Sequence, residues 1–143
     1  MRIALDMARR AESKQEVPVG CVVVYENRII GKGFNQPIST NDPTAHAEIV
    51  ALREAASQIG NYRLTGAEMY VTLEPCVMCV GAIFHSRIAR LLYGANDEKH
   101  GGFGGLLSLQ NHCQLNHHAE VRSGLMQRES VMLLKNFFQS KRI

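Results

Sequence analysis

The sequence predicts an α/β fold in which a mixed five-stranded sheet carries helices on both faces. Three observations lead there. Two β-branched runs early in the chain flank a short polar turn, an apolar strand-helix-strand succession occupies residues 68–94, and helical periodicity opens and closes the chain.

From Met1 to about Ser13, Ile3, Met7, Ala8 and Ala11 recur at helical spacing, so one face of a first helix should be buried. "VPVGCVVVY" and "IIGKGF" then bracket Glu26-Asn27-Arg28 as the two strands of a hairpin. Asp42-Pro43 has the form of an N-cap followed by proline in the first turn, opening a helix that runs to about Ile59 and stops at Gly60-Asn61. "EMYVTL" is apolar on both sides and is expected at the centre of the sheet. Pro75 starts a helix reaching about Ser86, and "ARLLYG" follows as a fourth strand; this succession implies parallel pairing through a right-handed crossover. After the glycine-rich "HGGFGG", read as a flexible loop, come a candidate short helix at 106–109, a fifth strand at "AEVRS" and a final helix from about Met126 to Ser140.

Composition narrows the function classes. With 45% hydrophobic and 20% charged residues the chain is that of a soluble globular protein, neither disordered nor fibrous, and 143 residues suit a single domain over 1–143. "CVVVY" and "VMCVGAIF" fall well short of the roughly 20 apolar residues a membrane-spanning helix needs. The N-terminus lacks the order of a signal peptide, so a cytoplasmic protein with no membrane partner is expected. The net charge of +3 is modest, yet from Lys99 to Ile143 six Lys/Arg face two Asp/Glu, an asymmetry that permits a polyanionic partner without requiring one. Four cysteines in such a chain read as thiols or metal ligands rather than a disulfide framework.

Cys76 and Cys79 in "LEPCVMCVG" lie three apart, on one face of a helix whose first turn Pro75 sets. There the helix dipole stabilises thiolates and readies them for a cation. Alone, C-x-x-C fits a redox pair, half of a structural zinc site or coincidence. "TAHAEIVAL" supplies what it lacks. His46 and Glu48 would diverge by roughly 200° in mid-helix, but at a helix start both can reach beyond the terminus. His46 then joins Cys76 and Cys79 as a third ligand, leaving one position of a zinc tetrahedron open, and Glu48 is placed to act there as the catalytic base. Either residue by itself reads as a capping histidine or a solvated glutamate.

The combination H-x-E followed by P-C-x-x-C is the signature of zinc nucleobase deaminases. The chain closely resembles the bacterial tRNA adenosine deaminase family over nearly its whole length, through "EVPVGCVVV", "GFNQP", "NDPTAHAEIVALREA", "NYRL", "YVTLEPCVMC", "HSRI", "YGANDEK", "LNHHAEV" and "NFF". That resemblance implies a cytidine deaminase-like three-layer α/β/α fold, one Zn2+ per chain, and hydrolytic deamination of adenosine to inosine at the wobble position of a tRNA anticodon. It further implies an anticodon stem-loop as partner and a homodimer as the assembly, with "VGAIFHSRI" as a candidate interface. The family's first helix begins upstream of the point matching Met1, so either a short first helix or a start codon assigned too late is expected.

The remaining candidates are two-sided. Asn35 in "GFNQP" is implied to contact the target adenine, since an amide both donates and accepts; without the resemblance it is as well explained as a turn residue before Pro37. Asp97 in "YGANDEK" follows the fourth strand, where a carboxylate can accept from a ribose hydroxyl or serve as an ordinary loop aspartate. Of Phe137-Phe138, one ring belongs to the core and the other, with Phe138 as the candidate, stacks on a base; the sequence does not distinguish them. Lys135, Lys141 and Arg142 fit phosphate contacts and solvated helix residues equally. Cys21 reads as a small core residue, the cluster His112, Cys113, His117 and His118 as no second metal site, and the glycines at 101, 102, 104 and 105 as no phosphate loop. Two rival readings stand beside the first: a deaminase of a free cytosine- or guanine-type base or nucleoside, and a non-catalytic RNA-binding module, against which an intact Glu48 argues.

Overall fold

The computed structural model describes residues 1–112 and 115–142. Helix α1 (Arg2–Ser13) leads into the hairpin β1 (Gly20–Tyr25) and β2 (Arg28–Phe34). A single turn, α2 (Pro37–Thr40), precedes α3 (Ala47–Ile59); β3 (Glu68–Leu73), α4 (Val77–His85), β4 (Arg90–Ala95), β5 (Glu120–Arg122) and α5 (Gln127–Lys141) complete the chain. The strands form one mixed sheet in the order β2-β1-β3-β4-β5, antiparallel across β2, β1 and β3 and parallel across β3, β4 and β5. The apolar β3 is therefore the central strand, as its sequence implies.

Helices α3 and α4 pack together on one face of the sheet, while α1 and α5 meet on the other. Strand alternation serves both layers. Cys21, Val23, Met69, Val71 and Leu91 join Ala51, Val80 and Ile83 in the core under α3 and α4. In α1 the buried stripe is Ala4, Leu5, Met7, Ala8 and Ala11; Ile3, expected on it, is 42% exposed. The approach of α3 to β2 is close because β2 offers Gly33 there: a Cβ at that position would overlap the Ala47 carbonyl oxygen. This contact sets the start of α3 directly against the sheet.

Several boundaries differ from the sequence expectation. Asp42 does not cap α3. Its Oδ1 instead accepts from the Thr44 backbone N–H (2.8 Å) and hydroxyl (2.7 Å), closing a local turn, and His46 becomes the N-cap. Likewise Pro75 precedes α4, with Cys76 as its N-cap. Residues 106–109 form no helix; Phe103 and Ser108 bridge instead. The α2 turn was not foreseen, and β5 is shorter than "AEVRS". Gly60 ends α3 in the left-handed conformation expected of it, at φ 75°.

Candidate metal centre and active site

His46 and Cys76 occupy equivalent places, each the extended N-cap residue of its helix (ψ 156° and 171°). An N-cap side chain points past the helix end, which is how two segments 30 residues apart in sequence meet. His46 Nδ1 lies 3.5 Å from Cys76 Sγ and 3.6 Å from Cys79 Sγ. A tetrahedral ion with Zn–N of about 2.05 Å and Zn–S of about 2.3 Å requires N···S edges of about 3.6 Å, so both edges from the imidazole to the thiols already have the length a zinc site needs. The ligand atoms form a compact group of one imidazole and two thiols, and among the described residues the group contains no fourth protein donor. A soft donor set with one free corner suits Zn2+ in a catalytic site.

The electrostatics show how the metal-free triad shares its protons. Hydrogen bonding from Cys79, reinforced by the His46 ring against the opposing effect of partial burial, holds the Cys76 thiol down at about 4. Cys79 is pushed up, first by that hydrogen bond to Cys76 and then by burial. His46 is raised by its hydrogen bond to Cys76, although burial works the other way. Glu48, in the first turn of α3, is only 4% exposed; burial raises its carboxyl pKa, while contact with the Cys79 thiol and the His46 charge act in the opposite direction. A buried carboxyl with a raised pKa is the type of group that can both take and return a proton.

A cavity of about 710 Å3 opens on this centre and gathers most of the other candidates: Asn35, His46, Asp97, Phe138 and Arg142 all line it. Val17, Val19, Leu73 and Leu134 supply its apolar walls. Asn35 Oδ1 accepts from the Ala47 backbone N–H (2.9 Å), so this side chain satisfies the first turn of α3 and keeps its NH2 group for the cavity. Asp97 Oδ1 accepts from the backbone N–H groups of Lys99 (3.1 Å) and His100 (3.2 Å), and Oδ2 lies 3.5 Å from His100 Nδ1. The aromatic pair divides cleanly: Phe137 is 6% exposed in the core, whereas Phe138 is 47% exposed at the cavity. Lys141 turns away, donating to Gln15 Oε1 and lying over the Phe137 ring.

Cys21 is fully buried beneath α3 and outside the ligand group. His117 Nε2 and His118 Nε2 are engaged by the Ile88 and His112 carbonyls, both at 2.7 Å, and Cys113 lies outside the described residues. Sequence reasoning missed the cavity residues Asn96, Lys99, His100 and Leu134 and the buried carboxylates Glu16 and Glu74. The last two stand directly before Val-Pro and Pro-Cys, and a glutamate beside an apolar run was the available signal.

Comparison with known proteins agrees with this geometry. Residues 1–95 match the profile of the cytidine and deoxycytidylate deaminase zinc-binding region. The chain is 51% identical over 143 residues to the tRNA-specific adenosine deaminase of Haemophilus influenzae, covering 99% of this chain and 83% of that one. The chain belongs to the tRNA-specific adenosine deaminase family. A relative from Agrobacterium fabrum is 44% identical and covers all of this chain and 94% of its own. A structure from studies of A-to-I editing by tRNA deaminases at the wobble position superposes with a TM-score of 0.91 at 44% identity, covering 94% of this chain and 97% of that one. The same core extends to a guanine deaminase of Bacillus subtilis (TM-score 0.64, 38% identity, 66% and 61% covered). The three-layer deaminase fold and the Zn2+ cofactor expected of the family are thus those of this chain.

Proposed function

We propose that this protein is a single-domain zinc enzyme that hydrolyses adenosine to inosine at the wobble position of a tRNA anticodon. The observation that carries this reading is that one cavity joins His46 of the metal triad to a mouth lined by Phe138, Lys99, His100 and Arg142. A free base needs the inner part alone; the aromatic and cationic rim suits flanking nucleotides and their phosphates. Relatives named for tRNA adenosine deamination match the whole chain, which supports the same substrate class.

His46, Cys76 and Cys79 would hold the zinc ion, which supplies Lewis-acid activation of water when bound. Glu48 takes one proton from the attacking water on its carboxylate and gives it to the ring nitrogen next to the amino-bearing carbon as the C–O bond forms; the carboxylate then takes the second proton from the added hydroxyl and passes it to the amino group, so the C–N bond breaks, ammonia leaves, the carbonyl of inosine forms and the carboxylate is restored. Its burial excludes bulk water from this exchange. The Asn35 NH2 group donates to the base, Val17, Val19, Leu73 and Leu134 enclose it, and Phe138 stacks on a neighbouring base. Asp97 contributes the cavity's acidic group, accepting from a ribose hydroxyl through Oδ2.

The test is incubation of purified protein with an anticodon stem-loop bearing a wobble adenosine, followed by inosine analysis, with free adenine, guanine and cytosine in parallel. Inosine in the stem-loop is expected; turnover of free bases alone would transfer the protein to the guanine deaminase type. The same reading places the enzyme in the cytoplasm as a homodimer. Val77 and Met78 on α4 are 39% and 38% exposed, Tyr62, which shares a groove with Ala82 and His85 of the same helix, is 64% exposed, and a Cβ at Gly81 would meet open space, which leaves room for a second copy. Sedimentation of wild type against Met78→Asp measures this: a wild-type monomer at micromolar concentration would contradict it.

A further inference from the structure

The mechanism above leaves one buried ionisable side chain beside the metal turn without a task. Glu74 is 3% exposed and sits two residues before Cys76. Its carboxylate collects three backbone donors from one segment: Oε1 accepts from Asp97 N–H (3.1 Å), and Oε2 accepts from Phe103 N–H and Gly105 N–H (both 3.0 Å). The segment is built around that carboxylate, since a Cβ at Gly101 would overlap Glu74 Oε2 and one at Gly105 would overlap the Asp97 carbonyl oxygen. The glycine-rich run is therefore a close-packed wrap, not the flexible loop its composition suggests. It is tied to the metal turn as well, through Gly102 N–H donating to the Pro75 carbonyl (2.8 Å) and a bridge between Cys76 and Gly101.

This wrap carries Asp97, Lys99 and His100, three of the polar side chains on the cavity. The tethers run in series. Glu74 fixes the Asp97 backbone, and the Asp97 carboxylate in turn fixes the backbone of Lys99 and His100. We propose that Glu74 is a positioning residue for substrate: it holds the 97–105 segment so that the cavity's acidic group and the neighbouring Lys99 and His100 side chains keep one arrangement relative to the Cys76 turn. The inference rests on the function proposed above for what enters the cavity. A carboxylate is the fitting group because three converging N–H dipoles favour a negative charge with two acceptor oxygens. Glutamine in its place offers a single acceptor oxygen, so either the Asp97 N–H or the Phe103 and Gly105 pair faces an amide NH2.

The test uses full-length protein with Glu74→Gln and, independently, Gly101→Ala. Backbone hydrogen exchange, zinc content and steady-state deamination of the anticodon stem-loop are measured for each. A lost hydrogen bond to a charged group corresponds to about 10–100-fold. Exchange at the Asp97, Phe103 or Gly105 amides should accelerate by that order while α4 keeps its protection. Zinc should stay at one per chain, KM should rise about tenfold and kcat should move by less than about threefold. Unchanged exchange at the three amides overturns the proposal, as does faster exchange with KM unaltered. Loss of zinc with collapse of kcat would make Glu74 a prop of the metal turn and overturn it equally. Should the unmodified enzyme leave the stem-loop untouched, the substrate reading fails on its own, and the exchange arm still decides whether Glu74 holds the segment.

Discussion

Lowering the pH should weaken zinc binding with a limiting slope of two protons, not three. In the metal-free triad Cys76 titrates at about 4 and is a thiolate throughout pH 5–8, whereas Cys79 is raised above its ordinary value and retains its proton there, and His46 is raised above 6.5 by its hydrogen bond to Cys76. Zinc takes two thiolates and a neutral imidazole, so binding must expel the Cys79 proton at every pH in this range and the His46 proton as well once the pH falls below its raised value. Groups at their ordinary values would instead expel three protons near pH 5.5: one from the imidazole and one from each thiol. The structural arrangement therefore predicts that log K falls by about two per pH unit at the acid end, or about 100-fold, and by about one where His46 is already neutral. Chelator competition between pH 5 and 8 gives the slope. Calorimetry in two buffers of different ionisation enthalpy counts the protons directly. A slope of three below pH 6 would show that Cys76 keeps its proton until metal arrives, and the shared-proton description of the triad would be wrong.

Three further outcomes follow from the geometry. Glu48→Gln should retain zinc and lose about 10²–10⁴ in kcat, the usual worth of general acid–base help; near-normal turnover with zinc bound would remove Glu48 from the mechanism. Phe137→Ala should cost about 3–5 kcal/mol in denaturant unfolding as a buried core truncation. Phe138→Ala should leave stability within about 0.5 kcal/mol and weaken stem-loop binding by about 1–3 kcal/mol, and equal stability losses for the two would contradict their separation. Glu16, 1% exposed, accepts from Ile38 N–H (3.2 Å) and Ser39 N–H (2.8 Å); burial opposes ionisation, but those hydrogen bonds, from Ser39 first, leave its pKa below the ordinary 4.5. A depressed carboxyl contributes stability that is present above pH 4.5 and disappears as pH falls through the folded value, so the melting-temperature advantage of wild type over Glu16→Gln should shrink below pH 4.5 and not change from 5.5 to 7.5.

The metal ligands were legible in the sequence because coordination chemistry constrains residue type and spacing together: a thiol pair three apart and an H-x-E unit read the same in any context. The parallel crossover and the central β3 were legible for a comparable reason, since an unbroken apolar strand has to be covered on both faces. Helix starts were not. Asp42-Pro43 has the composition of an N-cap and a first turn, and only the short contacts from Asp42 to Thr44 show that the aspartate closes a different turn. Phe137 and Phe138 were inseparable because neighbouring aromatic residues near a helix end carry no marker of phase; the burial of α5 against β4 decides between them. Glu16 and Glu74 went unassigned because their partners are backbone N–H groups 22 to 31 residues distant, and a backbone donor leaves no trace in a sequence.

These two carboxylates have a common logic that bears on how the pocket is held. A deaminase cavity needs loops, because donors aimed at a base must stand at strand and helix ends, yet loops alone fluctuate. Glu16 ties α2, next to Asn35, to the end of α1, and Glu74 ties the segment bearing Asp97 to the metal turn. Each acts from beneath, out of contact with solvent, on backbone donors that no side-chain substitution in the loop itself would remove. The cavity-facing residues Asn96, Lys99 and His100 can accordingly change identity while the backbone keeps its place, so a relative with another substrate needs new side chains on the same tethered segments, not a new scaffold. Exchanging Asn96, Lys99 and His100 for alanine together should therefore reduce stem-loop affinity while leaving hydrogen-exchange protection at the Asp97, Phe103 and Gly105 amides unchanged; loss of that protection would mean that the rim side chains, and not the buried carboxylate, hold the wall.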